Sequence, residues 1–173
     1  MKNISLGATG ISISPLTLGG NTFGWTATPE ESFDVLDAFV AAGGTTIDTA
    51  DVYSAWAPGN HGGESEETIG RWLAARGYAK GGRRDAVVVA TKVAKHPQFV
   101  GLSPENIAAA CDASLTRLGL DHIDVYFAHF DDDAVAVPDM AEAFSALVDA
   151  GKVRAIGLSN FSPERMDEWL RYA

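Results

Sequence analysis

Short apolar runs alternate with amphipathic stretches along this chain. The opening segment, Ile4-Ser5-Leu6-Gly7-Ala8-Thr9-Gly10-Ile11-Ser12-Ile13, alternates apolar with small or polar residues around glycines, which predicts a short β-hairpin. A second run, Leu16-Thr17-Leu18, ends at Gly19-Gly20. Thr28-Pro29-Glu30-Glu31 has the form of a helix start, with a hydroxyl to cap, a proline in the first turn and a glutamate three residues past the cap. Phe33, Val35, Leu36, Phe39 and Val40 recur at helical spacing, and Gly43-Gly44 stops the helix.

The same unit then recurs. Strand Thr45-Thr46-Ile47 leads through a loop to a helix carrying Ile69, Trp72 and Leu73. Strand Ala86–Ala90 precedes a helix capped at Ser103, and strand Ile123–Phe127 precedes a helix beginning near Pro138. Strand Val153–Leu158 precedes a further capped start at Ser162-Pro163. The strands are short and almost continuously apolar, as parallel strands covered on both faces are. Strict βα alternation predicts an α/β fold with a parallel sheet, either doubly wound or closed into a barrel. The glycine fingerprint of doubly wound dinucleotide folds, G-x-G-x-x-G after the first strand, is missing. In a barrel, function gathers where strands end and βα-loops begin. Those positions hold the unusual polar residues here: Asp48, Lys92, His129, and Ser159-Asn160.

Together these groups suggest proton transfer. Asp48 and Lys92 leave neighbouring predicted strands and can pair as ions, and Tyr53 lies five residues past Asp48 in the same loop. A free tyrosine is a poor acid at neutral pH; a neighbouring ammonium stabilises its phenolate and makes it a usable general acid. The aspartate would hold the lysine charged and in place, and His129 would donate a hydrogen bond to a substrate oxygen. Each residue alone has a plainer reading: Asp48 as a turn former, Tyr53 as packing, Lys92 as a solvated surface lysine, His129 as a satisfied structural histidine. The run Asp131-Asp132-Asp133 beside His129 raises a metal reading, but acidic runs are usually solvated, and His61, His96, His122 and His129 show no ligand spacing. No metal is expected. Trp25, Phe130 and Phe161 either line the mouth or pack in the core, and Trp56 either faces a substrate pocket or covers an apolar edge.

Asp48-Thr49-Ala50-Asp51-Val52-Tyr53, Ala90-Thr91-Lys92, Tyr126-Phe127-Ala128-His129 and Gly157-Leu158-Ser159-Asn160-Phe161 stand in the order and spacing of the aldo-keto reductase motifs, which the chain resembles over essentially its whole length. The segments Gly63–Gly70 and Gly151–Gly157 resemble the family as well. The resemblance implies a TIM (β/α)8 barrel, here incomplete at about five of eight units with an N-terminal β-hairpin, as a single domain over residues 1–173. It implies reduction of aldehydes or ketones with NADPH, with Tyr53 as general acid, Lys92 and Asp48 tuning it, and His129 orienting the carbonyl. Ser159 and Asn160 would hold the nicotinamide carboxamide, and Gly20 and Asn21 would line the cofactor channel. The loop Ser54–His61 is longer than the motif implies. The sequence ends at Arg171-Tyr172-Ala173, before the units that, in the family, supply the aromatic stacked on the nicotinamide and the groups for the 2′-phosphate. An inactive truncated fragment, or a catalytically idle cofactor-binding or regulatory relative, is the alternative. Five parallel strands cannot close a cylinder, so two edges are expected to carry unpaired backbone groups, inward side chains to meet water, and copies to self-associate through the edges.

Composition adds limits. Apolar residues are 46% and charged residues 21% of the 173-residue chain, ordinary for a soluble domain. A net charge of -10 and a pI near 4.7 argue against nucleic acid as a partner. No run is long enough for a membrane span, and Met1–Ser5 has no signal-peptide core. The single cysteine, Cys111, suits a reducing cytoplasm as a buried small hydrophobe.

Overall fold

The computed structural model describes residues 1–172. β1 (Ile4–Ser5) and β2 (Ser12–Ile13) form the expected antiparallel hairpin. The main sheet is wholly parallel and runs β3 (Thr17–Gly19), β4 (Thr46–Asp48), β5 (Val88–Val93), β8 (Ile123–Ala128), β9 (Val153–Leu158), so space follows chain order. A small hairpin of β6 (Lys95–His96) and β7 (Phe99–Val100) interrupts the βα rhythm; it was not foreseen. Five helices follow the five parallel strands: α1 (Pro29–Ala41), α2 (Glu64–Arg76), α3 (Pro104–Leu118), α4 (Val137–Asp149) and α5 (Pro163–Trp169). The described residues therefore form an incomplete barrel, open between β3 and β9.

Local chemistry sets the helix starts. Thr28 Oγ1 accepts from Glu31 N at 3.2 Å while Glu31 Oε2 accepts from Thr28 N at 2.9 Å, a reciprocal capping box. Ser103 and Ser162 cap α3 and α5 through Asn106 N and Arg165 N, both at 3.3 Å. The third strand of the main sheet lies later than the sequence pattern places it, at Val88–Val93, with a 3₁₀ turn over Gly81–Ala86 before it. Two polar residues that read as a strand end lie within the strand because each finds a partner. Thr91 Oγ1 donates to Glu66 Oε1 at 2.5 Å, and Lys92 bonds to Asp48. At the start of the strand, buried Arg84 joins Val87 O to Asp124 Oδ2, which also accepts from Val89 N.

Two apolar layers flank the sheet. On the helix side, Ile47, Val89 and Tyr126 pack with Leu36, Ile69, Trp72, Ile107 and Phe144. On the concave side, Val88, Ala90, Val125 and Ala155 pack with Ile11, Leu6 and Ile13 of the hairpin. These inward side chains are buried, contrary to the expectation that they would meet water, because the hairpin folds across the base of the open sheet. A cavity of about 140 Å³ remains above the hairpin, between Thr17, Asp48 and Phe127. At β9 the layer is completed by a ring: Phe127 lies over Gly157, where any Cβ would collide with it.

Candidate active site

The parallel register fixes which residues meet at the open end of the sheet. Gly19 stands beside Asp48, Asp48 beside Ala90, and Lys92 beside Phe127. Side chains alternate along a strand, so Asp48 and Lys92 belong to the concave face, one residue pair apart in height. Lys92 Nζ lies 2.7 Å from Asp48 Oδ2, 2.7 Å from Thr49 O and 3.0 Å from Tyr53 Oη. An ammonium has three N–H donors, and these partners use all of them. The Lys92 side chain is 9% exposed and that of Asp48 27%, so the pair is shielded yet borders solvent.

The loop carrying Tyr53 is tied to β5. Thr49 N donates to Ala90 O at 2.8 Å and Asp51 N to Lys92 O at 3.1 Å, while Tyr53 N turns back onto Ala50 O at 3.1 Å. Ser54 then takes a positive φ of 72° and sends its hydroxyl to Phe23 O at 2.7 Å. His129 is placed by its own N–H on Val93 O at 2.9 Å, with its ring 5.9 Å from that of Tyr53 and nearly perpendicular to it. Burial, then the cations Lys92 and Lys95, push the imidazole pKa down to about 4, so His129 is neutral at physiological pH. Its Nδ1 is buried with no partner among the described residues.

The remaining candidates border the same mouth. Ser159 N donates to Ala128 O at 2.9 Å, and Asn160, in the left-handed region at φ 58°, donates from Nδ2 to His129 O and Ser159 Oγ, both at 2.9 Å. Asn160 is exposed and its side-chain carbonyl has no hydrogen-bond partner among the described residues. A free amide oxygen beside a hydroxyl is the complement of a carboxamide, the group that the family resemblance implies for this pair. Gly20 is buried, its N–H on Asp48 O and its O accepting from Ser65 Oγ, both at 2.7 Å; it serves close packing of the first two strand ends. Asn21 is exposed, reaching back over Gly19.

Sequence reasoning missed Asp51. It is fully buried two residues before Tyr53, with neither carboxylate oxygen hydrogen-bonded among the described residues. Burial first, and then the charge of Glu66, raise its pKa to about 8; Arg117 opposes this, and the nearby N–H groups of Val52 and Ala94 offset little. Glu66 is itself buried, accepting from Arg117 Nε at 2.6 Å as well as from Thr91. Among the described residues no three His, Cys, Asp or Glu gather as a metal site, and no helix is long and apolar enough to cross a membrane.

The arrangement places a phenol, an ammonium, a carboxylate and a neutral imidazole around one opening, with a hydroxyl–amide pair beside it. It can deliver a proton to an oxygen lying between Tyr53 and His129. A family model described as the aldo/keto reductase family matches residues 15–172. YhdN, an aldo-keto reductase of Bacillus subtilis (strain 168), is 39% identical over 96% of this chain and 49% of its own length. A protein of Phanerodontia chrysosporium named aryl-alcohol dehydrogenase, NADP(+), is 34% identical over 88% of this chain and 42% of its own. An uncharacterized 11.2 kDa protein in the crtE 3' region of Pseudescherichia vulneris is 55% identical over 51% of this chain and 82% of its own. The chain thus spans about half the length of the reductase relatives it matches. The family model covers nearly every described residue, and the chain belongs to the aldo/keto reductase family.

Proposed function

We propose that this chain carries the proton-transfer half of an NADPH-dependent reduction of aldehydes or ketones, with Tyr53 as general acid. The observation that carries the reading is the three-way contact of Lys92 Nζ with Asp48, Thr49 O and Tyr53 Oη. Aldo/keto reductases are oxidoreductases that use nicotinamide dinucleotides on small carbonyl compounds, and this chain's residues divide that work. Tyr53 Oη gives its proton to the substrate oxygen, and the Lys92 ammonium stabilises the phenolate left behind. Asp48 keeps Lys92 aimed, since its Oδ2 fixes one of the three ammonium donors. Neutral His129 can donate one N–H to the same oxygen without competing as an acid. Ser159 and Asn160 hold the carboxamide of the nicotinamide, which supplies the hydride when bound, with Asn21 at the channel edge and Gly20 packed beneath. NADP is favoured over NAD by the name of the Phanerodontia relative. A cytoplasmic location is supported by the buried, unpaired Cys111.

The competing reading is a catalytically idle cofactor-binding or regulatory chain, in which the Ser159–Asn160 pair holds the nicotinamide while Tyr53 transfers no proton. One experiment separates the two. NADPH oxidation with a reactive aromatic aldehyde is followed for the 173-residue chain alone and for the chain supplied with the unmatched half of YhdN, with cofactor binding titrated in parallel. Tyr53→Phe should lower turnover by about 10²–10⁴-fold while cofactor binding survives. Turnover within a few-fold of the parent removes Tyr53 from its role, and cofactor binding without turnover in either preparation supports the idle reading.

A further inference from the structure

Two tryptophans stand half-exposed beside Tyr53. Trp25, in the loop before α1, and Trp56, in the long loop after Tyr53, are each 50% exposed. Their rings meet edge to face at 5.6 Å, and Trp56 lies 6.2 Å from the Tyr53 ring. Beyond Tyr53 the series continues through His129 to Phe130, 4.8 Å on. Hydrogen bonds between the two loops hold the indoles in place. Asn60 Nδ2 donates to Gly24 O at 2.8 Å and to Ser54 O at 2.9 Å, bridging the two loops. Ser54 Oγ makes a second bridge to Phe23 O, beneath the first. Phe23 is buried below, and Glu64 Oε1 gathers the N–H groups of His61 and Gly62 where the long loop enters α2. The indole pair is therefore presented on a hydrogen-bonded frame.

We propose that Trp25 and Trp56 are the specificity-determining wall for a flat aromatic carbonyl compound, whose ring lies against Trp56 while its oxygen reaches the gap between Tyr53 and His129. The inference rests on the reductase reading for the orientation of that oxygen. The pair offers apolar and quadrupolar surface and no charge, so it selects for an unsaturated ring over a saturated one of the same size.

The test uses the indole N–H resonances of the 173-residue chain, titrated with the product alcohols benzyl alcohol and cyclohexylmethanol, which have rings of like size. Trp72 and Trp169 are buried, and Trp72 Nε1 is bonded to Asp37, so their signals report folding. Saturable shifts of the two exposed indoles by benzyl alcohol are expected, with weaker binding of cyclohexylmethanol. Trp25→Leu and Trp56→Leu should each weaken benzyl alcohol by roughly 2–10-fold while the buried indole signals stay in place. Equal affinity for the two alcohols, unchanged affinity in both variants, or no shift at either exposed indole overturns the proposal. Tyr53→Phe separates it from the reductase reading: shifts that persist in a chain without turnover support the wall and count against only the chemistry.

Discussion

Replacing Asp51 by its uncharged isostere should stabilise this protein, and the gain should depend on pH in a defined way. Asp51 is fully buried, its oxygens have no hydrogen-bond partner among the described residues, and its pKa stands at about 8 against an ordinary 3.8. Below pH ~4 the carboxyl is protonated in both folded and unfolded chains, and no penalty exists. Between ~4 and ~8 the unfolded chain releases the proton while the folded chain retains it, so stability falls as pH rises, by about 1.4 kcal/mol per unit. Above ~8 both states are ionised and the loss levels off. The shift sets a ceiling of roughly 6 kcal/mol, and movement of Arg117 or entry of water would reduce it to about 2–4 kcal/mol. Asp51→Asn removes the ionisation and keeps the shape. Urea denaturation of parent and variant, followed by circular dichroism at several pH values, reads the difference directly, and titrating groups that do not interact with Asp51 cancel in it. The variant should gain at least ~2 kcal/mol at alkaline pH and little near pH ~4. A difference that is flat across this range would refute the argument, because it would mean that Asp51 ionises normally in the folded chain.

Three more outcomes are expected. Arg117→Met leaves Glu66 buried with only Thr91 to answer its charge, and should cost about 3–5 kcal/mol in the same urea assay; a cost near that of a surface ion pair would place Glu66 in contact with water. The His129 ring proton, followed by NMR, should titrate at about 4, and a midpoint near the ordinary 6.5 would show that burial and the Lys92 and Lys95 charges are not felt. Removal of residues 1–14 should expose Val88, Ala90, Val125 and Ala155 and raise binding of a hydrophobic dye together with the oligomeric mass seen by light scattering; an unchanged monomer would show that the hairpin does not cover the concave face.

The parts of the fold legible in the sequence are those decided within a few residues. Thr28-Pro29 with Glu31, Ser103-Pro104 and Ser162-Pro163 announce helices because each cap is bonded three residues away. The strand of Thr91 and Lys92 was misplaced because its polar residues are satisfied by Glu66 and Asp48, which are distant in sequence. β6 and β7 are too short for any periodicity to show. Asp48, Lys92, His129, Ser159 and Asn160 were legible for a different reason. In a parallel sheet whose spatial order is the chain order, every strand end points to one rim, so a polar residue closing an apolar run is assigned a neighbourhood before any contact is known. That rule covers only the concave side and the rim. Asp51 and Glu66 lie behind the strands, where neighbours come from helix packing, and nothing local distinguishes them from solvated acids. The Trp25–Trp56 pair is hidden likewise, since it depends on Asn60 and Ser54 bridging two loops. What sequence order cannot carry is therefore the support of the site: the rim that would meet a substrate is written along the chain, while the groups that fix its shape and its response to pH arise only when separate units pack.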